Sequence, residues 1–489
     1  MKLLQTVLLV MTVSTSAFAQ TNRIDIIRHD APELSQFGAF DIGVRTLDLV
    51  ATQSVDVINS VAGEVTNYYD RPLTVELWYP ATLNAGQSPG GEYSAETRNL
   101  EIIATLHGKA VRDAAPNTGE GPYPLVIISH GYPGNRFLLS HIGENLASKG
   151  YVVASIDHTD STYRRQEPIA STLYNRPLDQ RFVLNTIAQM NEDSGSFLSG
   201  IVDADNTGLI GFSMGGYGLL NNIGASFNTA MIDAAISPPN ELLADHTLQN
   251  RNYRRNLDPR IKAAVAIAPW GMNSNFFTPQ TLEGVQTPTL FVAGDVDVTA
   301  GYENGTRGIF ENTINADRYL LTFINGGHSV AAPIPMPVEI LDVPELNGAG
   351  HYVDPVWDAV RSNNILDHFA TVFLDLHLKG MSERAAYLDL IPNGNDGVYA
   401  MNGETAGPTQ IHSTSITPSF SFMPRVVTAG DPILSPLVTN GGRGSLGTAF
   451  LFTVILARPN AASASLPVIP CLTRLSRKRW FSVPPETTS

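Results

Sequence analysis

LIGFSMGGYG, residues 209–218, is the stretch on which the reading of this chain turns. Leu209 and Ile210 end an apolar run, and Gly211, Gly215 and Gly216 then surround a single serine, Ser213. One reading is a plain turn whose glycines tolerate unusual backbone angles. The other is a strand that bends sharply into a helix and pushes Ser213 outward at the bend, as the pattern G-x-S-x-G does when a strand precedes it and a helix follows. Short Gly/Ser patterns recur by chance, so the flanking sequence has to decide.

Working outward, short apolar runs bounded by turn residues recur on both sides. They are LTVELWYPA (73–81), YPLVIISHG (123–131), GYVVASIDH (150–158), TGLIGFS (207–213), IKAAVAIAP (261–269), TPTLFVAGD (287–295) and RYLLTFING (318–326). Runs of this length, rich in branched side chains, suit strands buried on both faces of a mostly parallel sheet. Between them SHIGENLASKG (140–150), LDQRFVLNTIAQM (178–190), MGGYGLLNNIGAS (214–226) and NILDHFATVFLDLHLKG (364–380) read as helices. Strand alternating with helix predicts a doubly wound α/β domain. Residues 20–70 are weakly patterned, and DADNTG (203–208) reads as a turn before the strand that leads to Ser213.

A serine hydroxyl is a weak nucleophile until a base takes its proton and a third group holds that base. The acid is expected after a later strand, where LFVAGDVDVTAGY offers Asp295 and Asp297. The spacing from Gly294 favours Asp297, with Asp295 bracing the loop; a turn-capping aspartate is the alternative for either. The base is expected last, and His328 follows the final strand through two glycines in INGGHSVAA. His351 is its rival, while His368 and His377 fall in helical pattern and read as packing. The chain order Ser213, Asp297, His328 is that of an α/β-hydrolase triad. The loop ISHGYPGNR (128–136) follows the apolar run YPLVIISHG, so backbone N–H groups of Tyr132 and Met214 are the candidate oxyanion donors, with His130 and Gly131 shaping the loop. Phe212 and Trp270 are candidate pocket walls. The segment 237–260 is a polar partial cover for the site.

The bulk numbers narrow the class. A chain of 489 residues with 43% hydrophobic and 16% charged residues fits a globular core. A net charge of −15 gives a nucleic acid no basic face to bind. Lys2, the apolar LLQTVLLVMTV and the small-residue AFA (17–19) form an export signal over 1–19, which predicts a periplasmic or extracellular protein. With one cysteine, Cys471, no internal disulfide forms, and a thiol nucleophile has no histidine beside it. GTAFLFTVILA (447–457) is too short to span a bilayer. The hydrolase domain is read as 20–425 and the remainder, 426–489, as a poorly ordered tail. No metal or cofactor is expected. The acidic run from Asp295 has Ala300 and Thr306 where a calcium loop needs glycine and glutamate, and the run from Asp203 has Met214 at its closing position.

Taken together, LTVELWYPA, PLVIISHGYPGNR, LASKGYVVASIDHTDSTY, IGFSMGGYG and HFATVFLDLHLKG make the chain resemble the α/β-hydrolase superfamily over roughly residues 65–385. Within it the chain is similar to the dienelactone-hydrolase and platelet-activating-factor-acetylhydrolase-like group. HGYPGN, FSMGG and GDVDVTAGY also look like bacterial cutinases and polyester hydrolases. There are departures. Dienelactone hydrolases proper use cysteine where Ser213 stands. The acetylhydrolases take their acid from the preceding strand, but AIAPWGM (266–272) carries no carboxylate. Cutinase-like enzymes have His or Trp where Phe212 stands, and a C-terminal disulfide. The resemblance implies ester hydrolysis and no single substrate; with the triad it predicts an acyl-enzyme. The polar, charged cover over 237–260, unlike a greasy interfacial lid, points to short-chain or aryl esters with aromatic diesters and polyesters among them. A peptidase or acyltransferase on the same triad, or a silent binding protein of this fold, are the alternatives.

Overall fold

The computed structural model describes residues 21–250, 253, 257–341 and 349–389, with the strand Phe420–Met423, all within the unit Met1–Asp431. The expected export signal, Cys471 and the tail 426–489 lie outside the described residues.

Fourteen strands are found among them: β1 Asn22–Arg23, β2 Asp41–Val55, β3 Tyr68–Thr82, β4 Gly91–Glu96, β5 Ile103–Gly108, β6 Val111–Arg112, β7 Ala115–Pro116, β8 Tyr123–Ser129, β9 Val152–Asp157, β10 Val202–Phe212, β11 Ile261–Ile267, β12 Thr289–Gly294, β13 Arg318–Phe323 and β14 Phe420–Met423. The helices are α1 Ser140–Ala147, α2 Ile169–Glu192, α3 Met214–Asn222, α4 Pro279–Leu282, α5 Arg307–Asn312, α6 Val338–Leu341 and α7 Ala359–Leu378. None is long and apolar enough to cross a membrane.

The main sheet runs β14-β13-β12-β11-β10-β8-β9-β3-β2-β6, with β7 paired to β3, and β1-β5-β4 form a small second sheet. From β9 to β13 every pair is parallel, while β3 joins β9 and β2 antiparallel. This is the expected α/β-hydrolase architecture. Chain order reverses at β8, which lies between β9 and β10, and such a switch point opens a crevice at the strands' carboxyl ends. Ser213 follows β10 there and Tyr132 follows β8. Both faces of the sheet are covered: α1 and α7 pack in one apolar layer, and α2 and α3 in the other.

All seven apolar runs are strands, but three expectations need correction. Residues 20–70 contain the 15-residue β2, whose outer half is only partly buried and whose polar residues hide its alternation. DADNTG is not a turn before the strand; it belongs to β10, with a register irregularity between Asp203 and Thr207. The second helix begins at Ile169 rather than at Leu178, and continues through Pro177. A proline inside a helix frees the carbonyl four residues earlier, and the Tyr217 hydroxyl donates to that carbonyl, on Leu173, at 3.0 Å. Replacing Tyr217 with phenylalanine leaves this carbonyl buried and unpaired. The expected cost is about 1–3 kcal/mol, read from the urea midpoint.

Candidate active site

The bend at Ser213 is tight because of what surrounds it. Its backbone sits at φ 52°, ψ −114°, a strained conformation for a residue with a side chain. The strain is held from both sides: the Ser213 N–H donates to Ile267 O at 2.9 Å, and its carbonyl accepts from Tyr217 N at 3.0 Å and Trp270 N at 3.1 Å. Two glycines are obligatory. A Cβ on Gly215 would lie 1.9 Å from the Ser129 carbonyl oxygen, and one on Gly211 would lie 2.4 Å from that of Gly215. Gly215→Ala therefore has to push β8 away from α3. At least tenfold loss of hydrolytic rate is expected from a displacement of roughly 1 Å, measured beside a thermal melt that separates misplacement from unfolding.

The structure brings Asp297 and His328 into contact. His328 Nδ1 lies 2.8 Å from Asp297 Oδ2. The other oxygen, Oδ1, accepts from Thr299 N at 2.7 Å and Ala300 N at 3.0 Å. Burial resists ionisation of Asp297, but the His328 hydrogen bond and charge and the two N–H donors outweigh it, so its pKa falls below the ordinary carboxylate range. Asp295 braces the loop, accepting from Asn325 N at 2.6 Å. The His328 loop is tied down again by Asp354, which accepts from Gly327 N at 2.6 Å and Trp357 N at 2.8 Å.

The His328 ring lies over Phe212, centroids 5.1 Å apart, which brings His328 and Asp297 beside Ser213. Ser213 Oγ makes no hydrogen bond to His328 here; such bonds commonly tighten only once substrate is present. Phe212 is 1% exposed and packed against His328, so it supports the histidine instead of walling a pocket. Trp270 is half-buried against Tyr217 and Phe276, and its N–H holds the Ser213 carbonyl. Met214 opens α3, where first-turn N–H groups lack partners within the helix. Tyr132 lies on the loop after β8, its hydroxyl donating to Glu167 O at 2.6 Å.

The rival histidines are placed elsewhere. His351 is buried between the rings of Tyr163 and Tyr352, and burial pushes its pKa down to about 4. His368 Nδ1 accepts from Leu34 N at 3.1 Å, and the His377 ring packs on Phe373. The expected cover is displaced as well. Within 237–260, Asn240 bonds Gly63 and Glu64, while Tyr253 packs at the far end of α3, its hydroxyl donating to Asn221 O and Ala225 O. That is about 13 Å along the helix from Ser213. A cavity of about 370 Å³ lies there, between Tyr174, Arg181, Asn222 and His246, and Ser213, Asp297 and His328 take no part in it.

Sequence reasoning missed a buried polar cluster beneath the site. Arg71 grips Asp179 with two hydrogen bonds of 2.8 and 2.9 Å and reaches Asp160 at 3.3 Å. Ser129 Oγ lies 2.8 Å from His158 Nε2, and His158 Nδ1 lies 2.8 Å from Asp179 Oδ2. This repeats the serine–histidine–carboxylate pattern, but Ser129 and His158 are inaccessible at 1% and 0% exposure. The cue in the sequence is the polar string DHTDS, which begins at the last residue of β9. Arg71→Met would leave two buried carboxylates, Asp160 and Asp179, with Arg176 as the remaining guanidinium beside them, one negative charge in excess, and a loss of about 3–5 kcal/mol is expected by urea unfolding.

Comparison with known proteins finds ester-hydrolase relatives. The family model described as platelet-activating factor acetylhydrolase, isoform II, matches residues 70–183, which include Tyr132. The PET hydrolase-like model matches 251–336, which include Asp297 and His328. Cutinase 2 of Thermobifida cellulosilytica is 29% identical over 178 residues, 36% of this chain and 49% of that one. Bis(hydroxyethyl) terephthalate hydrolase of Streptomyces coelicolor is 24% identical over 281 residues, 57% of this chain and 73% of that one. A ferulic acid esterase structure from Streptomyces cinnamoneus aligns with a TM-score of 0.48 at 22% identity, covering 74% of this chain and 94% of that one. The chain spans about half the length of the first of these relatives. It is an α/β-hydrolase-type protein that resembles the platelet-activating-factor acetylhydrolases and the cutinases and polyester hydrolases.

Proposed function

We propose that this protein is an exported serine carboxylic-ester hydrolase with Ser213 as nucleophile, His328 as base and Asp297 as the orienting acid. The observation that carries the reading is the 2.8 Å Asp297–His328 pair beside a serine held at φ 52°. The carboxylate keeps the imidazole proton on Nδ1, which leaves the Nε2 lone pair for the Ser213 proton. Ser213 Oγ then bonds to the ester carbonyl carbon, and the carbonyl oxygen becomes an oxyanion that the N–H groups of Tyr132 and Met214 stabilise. The intermediate collapses as His328 returns the proton to the departing alcohol. Water, deprotonated by His328, attacks the acyl-enzyme, and the proton passes back to Ser213 as the acid leaves. The residues supply every proton and charge in this sequence, so no metal or cofactor is called for.

Short-chain and aryl esters, with aromatic diesters and polyesters among them, are the substrate class. Trp270 stands half-buried next to Ser213, and Val296 and Val298, 50% and 94% exposed, flank the acid as an apolar rim. Residues 1–19 support export. The test is hydrolysis of p-nitrophenyl esters from acetate to palmitate and of bis(hydroxyethyl) terephthalate. Activity on the short chains and the diester is expected; ester product formed only when an alcohol acceptor is added points to acyl transfer. A folded protein inert on every ester contradicts the reading.

A further inference from the structure

The loop that carries Tyr132 is gripped from below by groups the triad does not use. His130 is fully buried, at 0% exposure. Its Nε2 lies 3.3 Å from the backbone N–H of His158. That N–H can only donate, so Nε2 is the acceptor and carries no proton. The ring proton therefore sits on Nδ1, which donates to the Gly131 carbonyl at 2.6 Å. Burial, with the Arg176 charge beside it, holds the His130 pKa well below its usual value, so the ring stays neutral.

Gly131 O and Tyr132 N–H belong to one peptide unit. In a trans peptide the two point in opposite directions, so holding the carbonyl towards His130 turns the Tyr132 N–H the other way. The same unit abuts the nucleophile: a Cβ on Gly131 would lie 3.3 Å from Ser213 Cβ. Arg176, 1% exposed, clamps the segment a second time. Its guanidinium donates to the His130 carbonyl, to Ser161 Oγ at 2.5 Å and, more distantly, to Gly131 O at 3.5 Å. The clamp is itself charge-balanced by Asp160 and Asp179, the carboxylates that pair with Arg71.

Resting on the ester-hydrolase reading above, we propose that His130 is a positioning residue: its Nδ1–H sets the tilt of the Gly131–Tyr132 peptide and so aims the Tyr132 N–H at the oxyanion. It touches no substrate and exchanges no proton. The buried Ser129–His158–Asp179 set and Arg176 form the frame that holds it. They are a scaffold for the oxyanion loop, not a second reaction centre.

The test compares His130→Leu, which removes the donor, with His130→Asn, whose side-chain amide places an N–H near the Nδ1 position. The leucine variant is expected to lower kcat by roughly 10–100-fold, short of the roughly 10²–10³ lost when an oxyanion donor is deleted outright. Its KM should hold within about twofold, its affinity for phenylboronic acid should fall in parallel with kcat, and the asparagine variant should recover most of both. Equal losses in the two variants, or full kcat in the leucine variant, would overturn the proposal. If the leucine variant does not fold, the wild-type nitrogen-15 histidine spectrum decides: a His130 signal of the Nδ1–H form, unchanged from about pH 5 to about pH 9, is expected, and an Nε2–H form overturns it. A wild-type protein that hydrolyses no ester defeats the underlying reading instead, and the histidine spectrum still reports on the loop.

Discussion

Replacing Asp297 by asparagine is expected to lower kcat on a short-chain ester by roughly 10⁴-fold, with the fold and KM largely kept. Geometry dictates the direction. Asp297 Oδ1 is held by the N–H groups of Thr299 and Ala300, which demand an acceptor. An asparagine must leave its oxygen there, so its NH₂ group faces His328 Nδ1, where Oδ2 stood. Nδ1 then has to accept, the imidazole proton moves to Nε2, and the nitrogen meant to take the Ser213 proton already carries one. The change is nearly isosteric, so a melting temperature close to wild type should accompany the loss. A stability signature follows too. Because the folded pKa of Asp297 is depressed, its contribution is complete above the unfolded value of about 3.9 and is lost as pH falls through the lower folded value. Asparagine should remove that component of the acid limb of the stability curve. A variant retaining within tenfold of wild-type kcat would show that Asp297 does not set the tautomer.

The second large effect is at Ser213, where two readouts should move in opposite directions. Ser213→Gly removes the proposed nucleophile, and kcat should fall by at least roughly 10⁴-fold. The same change should stabilise the fold by about 1 kcal/mol, because φ 52°, ψ −114° is strained for serine and open to glycine. Urea midpoints of wild type, Ser213→Ala and Ser213→Gly measure this: alanine keeps the strain and loses only the hydroxyl. A glycine variant less stable than the alanine variant would mean that the bend stores no strain.

What was legible in the sequence was local. Ser213, Asp297 and His328 each follow a buried strand, and the order of strands in the chain carries the order of the proposed triad. The parallel strands were legible for the same reason: burial on both faces makes each a continuous apolar run. What was hidden depended on partners far along the chain. β2 is recognisable only through its pairing with β3, since half of it faces solvent. The passage of α2 through Pro177 depends on Tyr217, on another helix. Arg71 lies more than a hundred residues from Asp179, and no local pattern marks either as half of a buried pair. Phe212 was misplaced because an aromatic at a strand end does not say which way it faces; here His328 covers it.

Ser129, His158 and Asp179 are sealed inside the fold, whereas His328 is partly exposed beside Ser213, and the proposed chemistry lies at Ser213. Labelling the intact protein with diisopropyl fluorophosphate and mapping the modified peptide by mass spectrometry puts this directly to the test. One adduct per chain, on Ser213, with Ser129 unmodified, is the predicted result. An adduct on Ser129, or no adduct on a folded protein, would contradict it.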